Sequence, residues 1–283
     1  MTPSRGQPPT LSGGVGYAVE LALAVDLARQ AGAIQMAHYG HLTAVEAKGS
    51  RGDLVTEVDR TCEALILEAV HRTFPADGVL AEESGAHRGG ADDGPEPSTG
   101  VGRTWVVDPL DGTVNYANGL PCFCVSIGLV VDGSAAVGVV FDAARDDLYE
   151  AVVGGGARRN GAPVACPPRA RLADCLATVV LHRRGWRRRE AAIARAVRAN
   201  RILGSTALAL AYVADGRFDV FVHAGGISPW DVAAAGLIAL EAGARITDLA
   251  GGPWLDLARK TGEVAVVAAA EPLHADLLRL LAA

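Results

Sequence analysis

The stretch WVVDPLDGTVNY, from Trp105 to Tyr116, decides how the rest of the sequence is interpreted. Its apolar residues 105–107 predict a buried strand, which delivers Asp108 and Asp111 into a turn. Buried carboxylates destabilise a fold unless a cation lies beside them, and carboxylate oxygens bind hard divalent metals well. Asp, Pro and Gly are equally common in exposed turns. The stretch alone therefore leaves a metal site and a surface turn as alternatives.

The turn after this strand also offers a site for an anion. Gly112 permits a tight turn, and Thr113 is expected to begin a short helix. Backbone N–H groups at the start of a helix lack partners within the helix and attract phosphate. Metal-binding carboxylates and phosphate-binding N–H groups would then lie side by side.

Four acidic residues follow an apolar segment, lie in the turn after one, or begin a helix. They are Glu82, Asp108, Asp111 and Asp231. Acids at the ends of buried elements point into the crevice where layered α/β folds bind ligands. Each acid taken singly is more often a helix cap or a solvated turn residue. Brought together they would repel one another unless a cation lay between them, and all-oxygen ligands favour Mg²⁺ or Mn²⁺ over zinc.

Composition limits the classes of partner. The chain has 283 residues, half of them hydrophobic, and a net charge of −6 from 26 basic and 32 acidic residues. That charge argues against a nucleic acid as the partner. An anionic substrate must instead be bound locally, by a metal or a helix start.

The sequence predicts a cytoplasmic protein that does not cross a membrane. No apolar run approaches the roughly 20 residues that span a bilayer. Residues 1–15 lack the apolar core of a signal peptide, and we expect a flexible leader there. The five cysteines are odd in number and contain no CxxC pair, which favours reduced thiols.

Hydrophobic periodicity predicts mainly strands in the first half of the chain and alternating helices and strands in the second. Helices are expected at residues 17–39, in a segment that includes 63–67, and at 187–198, 205–214, 231–243 and 272–281. Strands are expected at residues 78–81, 105–107, 123–131, 135–141, 149–153, 175–181, 201–203, 218–222, 245–247 and 264–268, with a flexible surface loop at 85–103. Asp132-Gly133 and Asn160-Gly161 are each expected to form a tight turn. This order favours one α/β (α+β) domain over residues 16–283, in two lobes of about 16–156 and 157–283 with layered sheets and helices.

Four blocks of the sequence resemble, in order, the inositol monophosphatase family of magnesium-dependent, lithium-sensitive phosphatases. They are DLVTEVD at Asp53–Asp59, AEES at Ala81–Ser84, WVVDPLDGTVNY at Trp105–Tyr116 and WDVAAAGLIALEAG at Trp230–Gly243. The DPLDGT block joined to a downstream WD block is highly specific, and the resemblance covers nearly the whole chain after the leader. It implies a layered αβαβα sandwich of the inositol monophosphatase and fructose-1,6-bisphosphatase type, and a homodimer.

The resemblance also implies a ligand set for the cofactor, which would be two or three Mg²⁺ ions with Mn²⁺ as a possible substitute. The first metal would be held by Glu82, Asp108 and the carbonyl oxygen of Leu110. The second would be held by Asp108, Asp111 and Asp231. Phosphate monoesters hydrolyse extremely slowly unaided, and paired metals neutralise charge and lower the pKa of a bound water.

Catalytic and phosphate-binding roles are implied in the same way. Glu82 would help to hold a weaker third ion and position the attacking water. Thr113 would activate that water, with Asp59 behind it. Gly112 and Thr113 would donate their N–H groups to the phosphate. Lys48 matches a basic residue on a mobile loop near the metals.

The segment before the WD block departs from the family pattern. Many relatives carry there a glutamate that contacts substrate hydroxyls, whereas FVHAGGISPWD has no acid between Asp219 and Asp231. His223 or Ala224 takes that place, depending on the position of a one-residue gap. The loss of this carboxylate weakens the expectation of myo-inositol phosphate as the substrate.

A second departure is LHRRGWRRRE, at Leu181–Glu190, in a neighbourhood that approaches the active site in relatives. Arg and Trp suit a nucleobase or a second phosphate, and a solvated basic helix start explains the segment equally well. The candidate substrate-binding residues are Lys48, His182, Arg183, Arg184, Thr206 and His223.

We expect a metal-dependent phosphomonoesterase that acts on a small phosphorylated polyol or sugar. The alternatives are a nucleoside monophosphate, adenosine 3′,5′-bisphosphate or histidinol phosphate as the substrate, and a non-catalytic regulatory member of the family. An aspartyl-phosphate mechanism would require two aspartates separated by one residue, whereas Asp108 and Asp111 are separated by two.

Overall fold

The computed structural model describes residues 16–41, 45–47, 54–90, 95–182, 185–260 and 262–283. The predicted leader at 1–15 and the candidate residues Lys48, Arg183 and Arg184 lie outside these residues. The helices are α1 (Ala18–His38), α2 (Glu57–Thr73), α3 (Thr113–Ala117), α4 (Arg187–Ala196), α5 (Thr206–Ala214), α6 (Pro229–Glu241) and α7 (Leu273–Ala282). The strands are β1 (Val45–Ala47), β2 (Leu54–Thr56), β3 (Gly78–Ala81), β4 (Gly85–His87), β5 (Arg103–Asp111), β6 (Cys124–Val131), β7 (Ser134–Asp142), β8 (Asp147–Val152), β9 (Ala157–Arg159), β10 (Ala162–Val164), β11 (Leu176–Leu181), β12 (Ala199–Asn200), β13 (Val220–Ala224), β14 (Arg245–Thr247) and β15 (Ala265–Ala269).

Two large sheets alternate with three layers of helices. The first sheet has eight strands in the order β10-β9-β8-β7-β6-β5-β3-β4, and the second has five in the order β12-β11-β13-β15-β14. Helices α1 and α2 cover the outer face of the first sheet, and α4 and α7 cover the outer face of the second. Helices α5 and α6 lie between the sheets. This layer order confirms the predicted αβαβα sandwich.

The central helices carry little charge because both of their sides are covered. In α5, residues 207–214 are all buried. Helix α6 approaches the first sheet so closely that a Cβ added to Gly138 of β7 would lie 2.5 Å from the carbonyl oxygen of Ala234. An apolar composition all round a helix is typical of such a buried layer.

Two tight turns occur where the sequence predicts them. Asp132 and Gly133 join β6 to β7 with φ angles of 46° and 76°. Asn160 and Gly161 join β9 to β10 with φ angles of 50° and 76°. Two consecutive residues of positive φ match the twist of a hairpin and favour Asn, Asp and Gly. Both predictions are confirmed.

The predicted strand at residues 201–203 is wrong. Strand β12 ends at Asn200, and the carbonyl oxygen of Leu203 accepts a hydrogen bond from Asn115 Nδ2 at 2.7 Å. An apolar triplet alone does not specify a strand, because pairing depends on which chain lies beside it.

Part of the predicted surface loop at residues 85–103 forms regular structure. Strand β4 pairs antiparallel with β3, and a 3₁₀ helix at Pro97–Thr99 precedes β5. The short β4 follows β3 after a tight turn at residues 82–84, so its pairing partner is the preceding strand.

The proposed division into two lobes at residues 156–157 remains a prediction. Strands β9 and β10 lie beyond that boundary and extend the first sheet from β8. A boundary drawn by sheet membership would therefore fall after Val164.

Candidate metal and phosphate site

Two parallel strands place Glu82 and Asp108 at the same end of the first sheet. Ala81, the last residue of β3, lies opposite Val107 in β5, and the Glu82 N–H donates to the Val107 carbonyl oxygen at 3.1 Å. Because parallel strands end on the same side of a sheet, the residues that follow them leave together. The side chains of Glu82 and Asp108 form a hydrogen bond.

The pleat of β5 directs Asp108 towards α6. Successive side chains of a strand point to opposite faces. Val106 packs with Ala233 of α6, and Val107 packs with the layer of α1 and α2. Asp108 therefore shares the face of Val106 and meets Asp231 in the first turn of α6.

Asp111 binds the start of α5. Its Oδ2 atom accepts hydrogen bonds from Ser205 Oγ at 2.6 Å and from the Ala207 N–H at 2.7 Å. Its Oδ1 atom accepts one from the Thr206 N–H at 3.1 Å. The first N–H groups of a helix have no partner within the helix, and this carboxylate supplies one. It thereby joins the DPLDGT turn to the central helix layer.

Asp231 caps its own helix. Its Oδ2 atom accepts a hydrogen bond from the Ser228 N–H at 2.6 Å, and the Ser228 side chain bonds the backbone of Asp231 in return. The interpretation of Asp231 as a helix cap is therefore correct. It does not compete with a ligand role, because a carboxylate has several acceptor positions on two oxygens.

Three carboxylates converge at one place. Oxygen atoms of Asp108, Asp111 and Asp231 lie within 4.8 Å of one another. Burial raises the pKa of all three carboxyls, and the charges of neighbouring acids raise the pKa of Asp108 and Asp231 further. Within the part of the chain that the structure describes, no Lys, Arg or His forms an ion pair with them. This arrangement fits a divalent cation bound by oxygen ligands.

Thr113 lies between Asp59 and Leu110. Its hydroxyl oxygen is 3.1 Å from Asp59 Oδ1 and 3.0 Å from the Leu110 carbonyl oxygen. A single hydroxyl hydrogen serves one of these acceptors at a time. Asp59 Oδ2 accepts from the N–H and the hydroxyl of Thr56. Burial raises the pKa of Asp59, although the bonds from Thr56 and Thr113 oppose the shift.

The DPLDGT turn is shaped by its own backbone. The Leu110 N–H donates to Asp108 Oδ1 at 3.0 Å. Gly112 has a φ of 95°, and a Cβ there would lie 2.7 Å from the Cys122 carbonyl oxygen. Glycine is therefore required. Gly112 precedes α3, so the N–H groups of Gly112 and Thr113 lie at the start of that helix.

Three predicted substrate residues line one cavity of about 390 Å³. They are His182, Thr206 and His223. Ser205 belongs to the same lining, so the cavity adjoins the carboxylate cluster through its bond to Asp111. Trp186 packs instead against the apolar cluster between the second sheet and helices α4 and α7.

The pleat of β13 decides between His223 and Ala224. Val220, Val222 and Ala224 face α4 and α7, whereas Phe221 faces the central helix layer. His223 follows the alternation of Phe221 and lines the cavity. Of the two residues that could replace the family's glutamate, His223 is therefore the one beside the candidate site.

Sequence reasoning missed two residues that hold the site together. Ser205 marks a predicted helix start, but its partner Asp111 is 94 positions away. Asn115 lies inside the WVVDPLDGTVNY stretch, and its Nδ2 donates to the carbonyl oxygens of Cys122 and Leu203, both at 2.7 Å. No local pattern indicated either partner.

The layered fold and the buried carboxylate cluster define a class: an α/β protein with a candidate divalent-metal site between its sheets. The family model for the inositol monophosphatase family matches residues 18–282. The chain belongs to this family, as its motifs predict, and a phosphatase function is supported. In the described residues, no helix is both long and apolar enough to cross a membrane.

Sequence relatives agree with this assignment. Inositol monophosphatase 1 of Solanum lycopersicum is 39% identical over 238 residues, which cover 82% of this chain and 85% of that protein. Nus factor SuhB of Salmonella typhimurium is 38% identical over 246 residues, which cover 82% of this chain and 86% of that protein.

Solved structures share the fold. The Thermotoga maritima IMPase has a TM-score of 0.81 and 31% identity, covering 93% of this chain and 97% of that one. SaIMPase-II with bound 2′-AMP has a TM-score of 0.77 and 28% identity, covering 92% and 93%. With bound inositol monophosphate its TM-score is 0.75 and its identity 27%, covering 92% of each chain.

Proposed function

We propose that this protein is a Mg²⁺-dependent phosphomonoesterase that hydrolyses a small phosphorylated metabolite. The observation that carries the proposal is the convergence of Asp108, Asp111 and Asp231, whose oxygens lie within 4.8 Å of one another. Asp108 and Asp111 are buried, and Asp231 is partly buried. Family membership supports the phosphatase class. The identity of the metal, the number of ions and the substrate are proposals for this chain.

The ligand assignment follows the geometry around Asp108. Glu82, Asp108 and the Leu110 carbonyl oxygen would hold one ion. Asp108, Asp111 and Asp231 would hold a second, and Glu82 would help to hold a weaker third. Bound Mg²⁺ would neutralise phosphate charge and lower the pKa of a coordinated water.

Thr113 and Asp59 would act on the attacking water. The Thr113 hydroxyl, when it donates to Asp59 Oδ1, can accept a hydrogen bond from a water at the same time. Asp59 would hold the hydroxyl in that orientation and draw its proton. The raised pKa of Asp59 makes this carboxylate a better proton acceptor than an exposed aspartate.

The phosphate and its alcohol would occupy neighbouring sites. Gly112 and Thr113 would donate N–H groups to the phosphate at the start of α3. The alcohol would enter the cavity lined by His182, Thr206 and His223, and Lys48, Arg183 and Arg184 remain proposed from the sequence. SaIMPase-II binds both inositol monophosphate and 2′-AMP, so polyol, sugar and nucleoside monophosphates are all candidates.

Phosphate release tests the proposal. Purified protein should release phosphate from at least one polyol, sugar, histidinol or nucleoside phosphate at millimolar Mg²⁺, and EDTA should abolish the release. Asp231→Asn should lower kcat by about 100-fold or more, because a ligand charge is lost while its capping acceptor is retained. Asp26→Asn, which changes an exposed acid on α1, is the matched control.

A regulatory protein without activity is the second candidate. It is favoured by the 38% identity to a relative named a Nus factor. Complete absence of turnover across the panel would support it against the enzyme. Near-normal activity of Asp231→Asn would contradict the assignment of Asp231 as a metal ligand, but it would leave the proposed phosphatase activity intact. A homodimer and a cytoplasmic location also remain proposals, to be tested by light scattering and by cell fractionation.

A further inference from the structure

Gln35 is a polar residue on the buried face of α1. It is fully buried and continues a stripe that includes Ala24, Leu27, Ala28 and Ala31. Among the described residues, none offers a hydrogen-bond partner to its Oε1 atom. A buried acceptor without a partner lowers stability, and an apolar side chain of similar size would fill the space without that loss. Packing alone therefore does not explain a glutamine here.

The side-chain amide of Gln35 reaches the DPLDGT turn. Its Nε2 atom donates a hydrogen bond to the Pro109 carbonyl oxygen at 2.9 Å. A carbonyl oxygen can only accept, so this contact fixes which end of the amide faces the turn. The Tyr116 hydroxyl donates to the backbone carbonyl oxygen of Gln35 at 2.7 Å. The last turn of α1 is therefore bonded both to the DPLDGT turn and to α3.

One peptide group connects Gln35 to Asp108. The Pro109 carbonyl and the Leu110 N–H belong to the same planar peptide. Gln35 bonds the carbonyl oxygen of this peptide, and its N–H donates to Asp108 Oδ1 at 3.0 Å. Hydrogen bonds in such a chain strengthen one another. The bond from Gln35 therefore fixes the orientation of the peptide and strengthens the bond from Leu110 to Asp108.

Rotation of this peptide would disturb two of the proposed metal ligands. It would turn the Leu110 N–H away from the Asp108 carboxylate. It would also change the φ angle of Leu110, whose own carbonyl oxygen is the other proposed ligand. Groups that hold metal ligands in place contribute to metal affinity, although they do not contact the ion.

On the basis of the proposed metal site, we propose that Gln35 is a positioning residue for it, which acts through the Pro109–Leu110 peptide to orient Asp108 and the Leu110 carbonyl oxygen. Gln35 would contact neither the ion nor the substrate. Loss of a group that bonds a metal ligand weakens metal binding by about 10–100-fold. Because Gln35 acts through an intervening peptide, we expect an effect near the lower end of that range.

Binding of Mg²⁺ in the absence of substrate tests this role. Gln35→Met keeps an unbranched side chain of similar length and removes the donor. Isothermal titration of the metal-free protein with Mg²⁺ should give a dissociation constant about five-fold or more above that of the wild type. A smaller rise would overturn the proposal and leave the phosphatase intact. Failure of the wild-type protein to bind Mg²⁺ would overturn the metal site and this proposal together.

Two other variants of α1 separate positioning from general damage. Leu27→Val loosens the buried face of the same helix, and Gln30→Met replaces an exposed glutamine. Both should leave the Mg²⁺ dissociation constant unchanged, although Leu27→Val should lower the melting temperature. An equal loss of Mg²⁺ affinity in Leu27→Val would assign the effect to loosening of α1 and contradict the proposal.

A measurement on the wild-type protein covers the case in which Gln35→Met does not fold. The chain has three glutamines, Gln7, Gln30 and Gln35, so ¹⁵N labelling at glutamine gives a simple spectrum of side-chain amides. Addition of Mg²⁺ should shift the amide resonances of Gln35 and leave those of Gln30 unchanged. Unshifted Gln35 resonances in Mg²⁺-bound protein would refute the connection between this amide and the metal site.

Discussion

Asp59 shows how one residue can serve its helix and the candidate site together. Its Oδ2 atom bonds Thr56 at the start of α2, and its Oδ1 atom lies 3.1 Å from the Thr113 hydroxyl. An acid at a helix start is explained by the helix alone, so the sequence pattern offered no reason to look further. Asp231 is similar, because one of its oxygens caps α6 while the carboxyl group joins the acid cluster.

The role of the Thr113 hydroxyl can be tested with two substitutions. Thr113→Ala should lower kcat by about 100-fold or more and change KM little, because it removes a proton-transfer group rather than a substrate contact. Thr113→Ser retains the hydroxyl and should stay within about ten-fold of wild type. Steady-state kinetics measures both, and thermal unfolding verifies the fold. Equal kcat values for the alanine and serine variants would eliminate the proposed role.

At the level of elements, the DPLDGT turn is where three layers meet. Asp111 bonds the first residues of α5, and Asn115 bonds the segment that leads into α5 through Leu203. Strand pairing between β5 and β6 is irregular between Asp108 and Asp111. Because regular pairing is interrupted there, the chain can turn between the two residues. Asp108 therefore faces α6, whereas Asp111 bonds the start of α5.

Gly112→Ala should destabilise this turn more than a matched glycine elsewhere. Gly112 has a φ of 95° and a Cβ would lie 2.7 Å from a carbonyl oxygen, whereas Gly243 has a φ of 93° and nothing within 4 Å. Both substitutions carry the strain of positive φ, and the first adds a clash worth about 2 kcal/mol. Urea unfolding of both variants measures the difference. Equal loss of stability would show that the backbone at Gly112 shifts without cost.

For the whole molecule, we expect the carboxylate cluster to make stability depend on pH and on bound metal together. The raised pKa values of Asp108 and Asp231 mean that the folded, metal-free protein binds more protons than the unfolded chain. Its stability should therefore fall as the pH rises above the ordinary aspartate pKa of 3.8. His223 acts in the opposite sense, since its pKa is lowered to about 4 and it loses stability as the pH falls below 6.5.

The melting temperature can be measured at each pH in Mg²⁺ and in EDTA. Because His223 contributes to both values, its effect cancels in their difference. The rise in melting temperature on adding Mg²⁺ should be larger at pH 7 than at pH 5, because protons compete with the ion for the carboxylates. Asp231→Asn should raise the melting temperature in EDTA and reduce the Mg²⁺ effect. A Mg²⁺ effect independent of pH would contradict the assignment of the ion to this cluster.

Local sequence was sufficient for most of the fold. Helices α1, α2, α5 and α6, the hairpin at Asp132–Gly133 and the strand before Asp108 follow from periodicity and turn chemistry, which act over a few residues. The motif blocks identified the family and the set of acids that the structure brings together. Those acids could be grouped from the sequence because each lies at the end of an apolar segment, in the DPLDGT turn or at the start of a helix.

Tertiary structure alone decided the surroundings of those acids. The pairing of β13 and the faces that it buries place His223, rather than Ala224, beside the cavity. Contacts between distant segments join Asp111 to Ser205, and they pack the partly buried Trp186 against the apolar cluster between the second sheet and helices α4 and α7. Such choices depend on which strand or helix lies alongside, and a one-residue change of register would reverse them. The sequence therefore determined the chemistry of the candidate site, and the packing of the layers determined which side chains face the cavity beside it.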